Sequence, residues 1–202
     1  MEIRLLLLDV DGVLLHYQRP QRVMHLAHAL QRSSAQVQAA LFDSGLETAY
    51  DAGALDTAAY LDQLSEALQA KVDATTWLAA RVAACRPQLA VVQRLLAIDE
   101  RLPLGVLTNN GPLMAQVLPI LLPGLHNRLQ PRVLCSGMLG GRKPDPALFK
   151  RALQRLDVEA RYTLFVDDLF VNVRGARAAG LHAETVRDGR GLGKVLKRYA
   201  IL

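Results

Sequence analysis

Two aspartates two residues apart, Asp9 and Asp11, close the apolar run Leu5-Leu6-Leu7-Leu8 and are followed at once by Gly12. Carboxylates this close repel one another, and each resists ionisation unless a cation shares the site, so the pair calls for a magnesium ion. Further on, Thr108-Asn109-Asn110-Gly111 brings hydroxyl and amide groups to the expected start of a helix. That setting suits a phosphate, because a helix N-terminus offers unpaired N–H groups and a favourable dipole. Lys143 stands just before Asp145-Pro146, a helix start with proline at the first helical position, so a rigid loop holds its ammonium where it could neutralise a phosphoryl group. Asp167-Asp168 then adds two acids, with Asn172 four residues after the second. Magnesium takes a few hard oxygen ligands, and Asp9, Asp167 and a backbone carbonyl would supply them. Each cluster by itself also reads as an ordinary capped turn with solvated polar groups.

What gives these clusters weight is that each ends an apolar segment. Residues 3–8 read as a central strand covered on both faces, since such strands lose the alternating pattern. Further strands are expected at 104–107, 133–136, 162–166 and 182–186, with helical patterns between them and a closing helix at 192–200. Strands alternating with helices imply a parallel sheet with right-handed crossovers, and ligands of such sheets bind beyond the carboxyl ends of the strands. The fold class is therefore α/β, a Rossmann-like doubly wound parallel sheet core.

Residues 16–85 break this rhythm with short amphipathic helices and no strand-like alternation. Val23, Leu26, Ala27 and Leu30 repeat at helical spacing, and Ser33 with Gln36 three residues on makes a capping box. A helix at 46–52 should stop at Gly53, Asp56 should cap the next, and a last helix at 77–85 should be stopped by Pro87. Residues 1–15 and 86–202 thus form the core, and 16–85 a small helical insert placed after the first strand.

The four strand-end motifs, Asp9-Val10-Asp11-Gly12-Val13, Thr108-Asn109-Asn110, Lys143-Pro144-Asp145 and Asp167-Asp168 with Asn172, together resemble those of the haloacid dehalogenase superfamily of phosphohydrolases. The resemblance implies that Asp9 is the nucleophile and Asp11 the general acid and base. It implies that Asp9, the carbonyl of Asp11 and Asp167 hold magnesium, with Asp168 contacting it directly or through water. Thr108, Asn109 and Lys143 would bind the phosphoryl group, and Asn172 would orient the surrounding loop. Dehalogenases of the superfamily lack an aspartate two residues after the nucleophile, so Asp11 argues for phosphoryl chemistry. The insert would be the family's small helical cap. There Tyr50 and Asp51, just before Gly53, are expected to set substrate selectivity, with His16, Tyr17 and Arg19 as the fallback.

The expected activity is a magnesium-dependent phosphatase acting on small phosphomonoesters through an aspartyl-phosphate, with sugar phosphates favoured over phosphoglycolate-like acids and nucleoside monophosphates. A phosphomutase of the same superfamily is the alternative enzyme. A regulatory or nucleic-acid-binding protein that keeps the fold is the alternative of another class. The formal charge of +5 and the tail Arg187, Arg190, Lys194, Lys197 and Arg198 motivate the last. Basic helices are more often solvated faces, and no nucleic-acid partner is expected. With 202 residues, 51% of them hydrophobic, and no apolar run approaching a membrane span, the chain reads as globular and cytoplasmic, with no membrane partner. Cys85 and Cys135 read as buried apolar residues, and composition gives no oligomeric state.

Overall fold

The computed structural model describes residues 2–202. The chain opens with β1 (Leu5–Leu8) and β2 (Leu15–Tyr17), then passes through α1 (Arg19–Leu30), α2 (Ser34–Gln38), α3 (Leu46–Asp51), α4 (Thr57–Leu68) and α5 (Ala74–Ala83). It returns through β3 (Cys85–Pro87), α6 (Leu89–Leu96), β4 (Leu104–Thr108), α7 (Met114–Leu121), the single turn α8 (His126–Leu129) and β5 (Val133–Cys135). The remainder is α9 (Pro146–Leu156), β6 (Thr163–Asp167), α10 (Phe170–Ala178), β7 (His182–Thr185) and α11 (Gly189–Arg198).

Five strands form one parallel sheet in the order β5-β4-β1-β6-β7, so β1 is central and pairs on both sides. Its four leucines have no exposed surface, and successive side chains go to opposite faces. Leu6 and Leu8 join a core built with α6, α7 and α11, whereas Leu7 packs with Phe149 of α9 and Val173 of α10. Helices on both faces are the doubly wound arrangement that the unbroken leucine run implies.

The insert differs from expectation at its joints. Residues 15–17 and 85–87 are not helix or loop but an antiparallel ribbon, β2 against β3, with Leu15 opposite Pro87 and Tyr17 opposite Cys85. The last insert helix accordingly ends at Ala83, and Cys85 belongs to a strand. Three-residue strands are too short to show a period, which is why the ribbon was hidden. Within the insert, the Ser33–Gln36 capping box forms, Asp56 and Asp73 cap α4 and α5, and Gly53 takes the left-handed φ of +78° expected past a helix end. α11 begins earlier than expected, at Gly189, where Asp188 accepts from the Gly191 N–H; glycines at 189, 191 and 193 masked the start. Among the described residues no helix is long and apolar enough to cross a membrane.

One close approach fixes α10, and with it Asn172, against the loop that carries Lys143. A Cβ added at Gly175 would lie 2.0 Å from the carbonyl oxygen of Pro144, whereas one at Gly124 would meet nothing within 4 Å. Gly175→Ala should therefore lower unfolding free energy by about 1–3 kcal/mol through overpacking, and Gly124→Ala should stay within about 0.5 kcal/mol of the parent. Paired urea denaturation curves check this contrast.

Candidate active site

The carboxyl ends of β1, β4 and β6 converge on one buried ammonium. Lys143 Nζ lies 2.8 Å from Asp9 Oδ1 and 2.7 Å from Asp167 Oδ2, and donates to the Leu107 carbonyl at 3.0 Å. Its three N–H groups thus have three acceptors, which makes a lysine tolerable where it is only 4% exposed. Asn109 keeps it there: its Nδ2 donates to the Lys143 carbonyl at 2.9 Å and its Oδ1 accepts from the Lys143 N–H at 2.8 Å. Asp145 caps α9 immediately afterwards by accepting from the Ala147 N–H. The Asn109 side chain thus ties the lysine loop, while the residue also stands in the wall of the cleft described below.

Asp167 is equally constrained, accepting from Asn172 Nδ2 at 3.0 and 3.1 Å and from the Leu169 N–H at 2.8 Å. Asn172 therefore acts on the acid itself, and Gly12, with φ +89°, leaves the space that the Asp168 carboxylate occupies. Burial pushes the Asp9 carboxyl up to about 8, with Lys143 opposing the rise and Asp167 adding to it. Burial would lower the Lys143 ammonium, but Asp9 and Asp167 outweigh it and hold its pKa above the ordinary lysine value. Burial, then Asp167, raises Asp168.

These acids fit a magnesium ion. Oxygens of Asp9, Asp167 and Asp168 lie within 4.8 Å of one another, and all are hard donors of the kind this ion takes. Three carboxylates face a single ammonium, a surplus of two negative charges that one divalent cation balances. Asp9 Oδ1 is engaged by Lys143 and the Val10 N–H, while no hydrogen bond reaches its Oδ2 among the described residues.

Asp11 stands apart from this cluster and pairs instead with Arg81 of α5, at 2.5 Å. Asn110 donates to Asp11 Oδ2 at 3.2 Å and to Thr108 Oγ1 at 2.8 Å, so Thr108, buried at the end of β4, is tied into the same network. Sequence reasoning gave neither Arg81 nor Asn110 a role. A signal for Arg81 existed: it lies one turn after Trp77 on the apolar stripe of its helix, where a charge needs a partner.

Above these groups lies a cleft of about 190 Å³, lined by insert residues including Arg19, Phe42, Thr48 and Asp51, and by Arg142 from the core. Tyr50 is not among them, which corrects its expected place at the substrate. It is fully buried, its ring stacks on Tyr60 at 4.0 Å, and its hydroxyl accepts from the Leu113 N–H and bonds Thr57. Asp51 does line the cleft, yet it also accepts from the Gly111 N–H at 2.8 Å, pinning the end of α3 to the core. Burial, reinforced by Glu47, pushes its carboxyl up to about 7. Of the fallback residues, Tyr17 and Arg19 line the cleft. In the basic tail, Arg198 is paired with Glu184 at 2.9 Å.

Residues 3–180 match the haloacid dehalogenase-like hydrolase family, and the chain belongs to it. A phosphatase of Mycobacterium tuberculosis is 40% identical over 90 residues, 44% of this chain; the matched stretch spans only 41% of that relative's length. Among solved structures, a HAD-like family hydrolase from Porphyromonas gingivalis superposes with a TM-score of 0.79 at 21% identity, covering 99% of this chain and 98% of its own. A HAD family enzyme from Bacteroides thetaiotaomicron, in complex with magnesium and inorganic phosphate, superposes with a TM-score of 0.74 at 20% identity, covering 93% and 96%.

Magnesium titrated into the metal-free protein should raise Tm. Ligand acids must be ionised to take the ion, and Asp9 is held up to about 8, so the rise should be larger at about pH 9 than at about pH 6. Asp167→Asn should remove most of it. Differential scanning calorimetry with and without the ion reads both dependences, and a pH-independent shift would count against these ligands.

Proposed function

We propose that the protein is a magnesium-dependent phosphatase of small phosphomonoesters, with the insert, residues 16–85, serving as a cap over the core formed by residues 1–15 and 86–202. The observation that carries the reading is the Lys143 ammonium between Asp9 and Asp167 at the strand ends, beside Asp168. The phosphatase relative and the neighbour that holds magnesium and phosphate support it.

In this reading Asp9, the carbonyl of Asp11 and Asp167 would hold the ion, with Asp168 contacting it directly or through water, and the ion would offset phosphate charge and align the phosphoryl group for in-line displacement. A carboxylate oxygen of Asp9 attacks phosphorus, and the bond to the leaving oxygen breaks. Asp11 gives its proton to that oxygen, which departs as an alcohol. Water then attacks the aspartyl-phosphate, Asp11 takes a proton from it, and phosphate leaves with Asp9 restored. Lys143 keeps the nucleophile oriented through Oδ1 and offsets the charge that gathers as phosphorus is attacked. Thr108 contributes its hydroxyl to the phosphoryl side.

Sugar phosphates are the favoured substrates. The cleft is small and largely polar, with Thr48 and Asp51 able to meet hydroxyls and Phe42 able to cover a ring face.

Asp9→Asn should lower kcat for an aryl phosphate by a factor of roughly a thousand or more, and chelation of magnesium should abolish turnover of the parent. Asp51→Asn should lower kcat/KM more for a sugar phosphate than for the aryl ester. Steady-state kinetics across a panel of phosphorylated metabolites measures both. Undiminished turnover in Asp9→Asn would refute the nucleophile assignment.

A further inference from the structure

Arg81 and Asn110 engage one oxygen of Asp11 and leave the other alone. We propose that Arg81 is a positioning residue for Asp11, holding its carboxyl in place through Oδ2. The inference rests on the phosphatase reading and concerns what holds the acid in place.

Arg81 is itself immobilised. Its side chain is 2% exposed, Nη2 lies 2.5 Å from Asp11 Oδ2 and 3.2 Å from Asn110 Oδ1, and Nε lies 3.3 Å from the Met114 sulfur. The guanidinium covers the ring of Tyr17 at 3.9 Å, a cation–π contact that holds its plane. Asn110 Nδ2 also donates to Asp11 Oδ2, so that oxygen receives two N–H groups. Asp11 Oδ1 is buried and has no hydrogen-bond partner among the described residues. A buried oxygen left unpaired is costly, and in a native site it marks a place where something else binds.

Arg81 also explains why this geometry depends on the insert. It lies on α5 just ahead of β3, and Tyr17 lies on β2, so both joints of the insert build the clamp. A guanidinium keeps its charge at every working pH and offers a fixed fork, which a lysine ammonium does not. The orientation of Asp11 is thus built by elements of the insert rather than by the strand that carries it.

The test compares leaving groups. A nitrophenolate departs without a proton, whereas a primary alkoxide needs one. Arg81→Ala should lose roughly tenfold or more kcat/KM on a primary alkyl phosphate beyond its loss on nitrophenyl phosphate. Millimolar guanidinium should restore part of the alkyl activity to Arg81→Ala and none to Arg81→Lys. Equal losses on both esters without rescue would overturn the proposal. Thermal unfolding of Arg81→Lys, Asp11→Asn and the double variant reads the contact without turnover: non-additive Tm shifts are expected, and additive shifts overturn the positioning role. A parent enzyme that hydrolyses neither ester would sink the phosphatase reading instead, and the unfolding cycle still judges the Arg81–Asp11 contact.

Discussion

A lysine with no room for water holds this site together. Lys143 meets Asp9, Asp167 and the Leu107 carbonyl, and so draws the ends of β1, β4 and β6 onto a single point. Removing one member of such a buried pair strands the others, at about 3–5 kcal/mol, because the remaining charges keep their desolvation penalty and lose their compensation. The remaining local structure serves this contact. Asn109 fixes the lysine backbone, Asn172 fixes Asp167, and Gly175 lets α10 approach the carbonyl of Pro144 directly. The site tolerates strong like-charge repulsion because its supports are rigid elements of a parallel sheet covered on both faces.

A second polar network lies in the insert and joins it to the core. Arg22 pairs with Glu47 in the interior, Tyr60 donates to Glu47, and Trp77 donates to Tyr60 at 3.0 Å. The Arg22 and Glu47 charges are paired, although Arg22 Nε has no hydrogen-bond partner among the described residues, and the insert presents Asp51 to Gly111 and Arg81 to Asp11. The wall of the cleft and the acid below it are therefore set by one packed unit.

Much of this was legible beforehand because strand ends carry chemistry in a readable order. The leucine run announced a central strand, and acids and a lysine after successive strands announced the convergence that Asp9, Lys143 and Asp167 display. What stayed hidden had no local signature. The β2–β3 ribbon pairs residues some seventy positions apart, as its Leu15–Pro87 register shows, and each strand is too short for a period. The tie of the Asn109 side chain to the lysine loop joins residues 34 positions apart and leaves no local trace. Tyr50 looked like a selectivity residue because it stands just before the hinge candidate Gly53, yet Gly111 leaves room for its ring and Tyr60 covers it. Those outcomes depend on contacts across the fold, which no window of sequence contains.

The covalent step is the most direct test of the account. Acid quench within milliseconds of mixing the magnesium-loaded enzyme with a phosphomonoester, followed by peptide mass spectrometry, locates any phosphoryl adduct. The account predicts an adduct on Asp9 in the parent enzyme that is labile to hydroxylamine and absent from Lys143→Ala. An adduct on any other residue, or rapid phosphate release with no protein adduct at all, would contradict it.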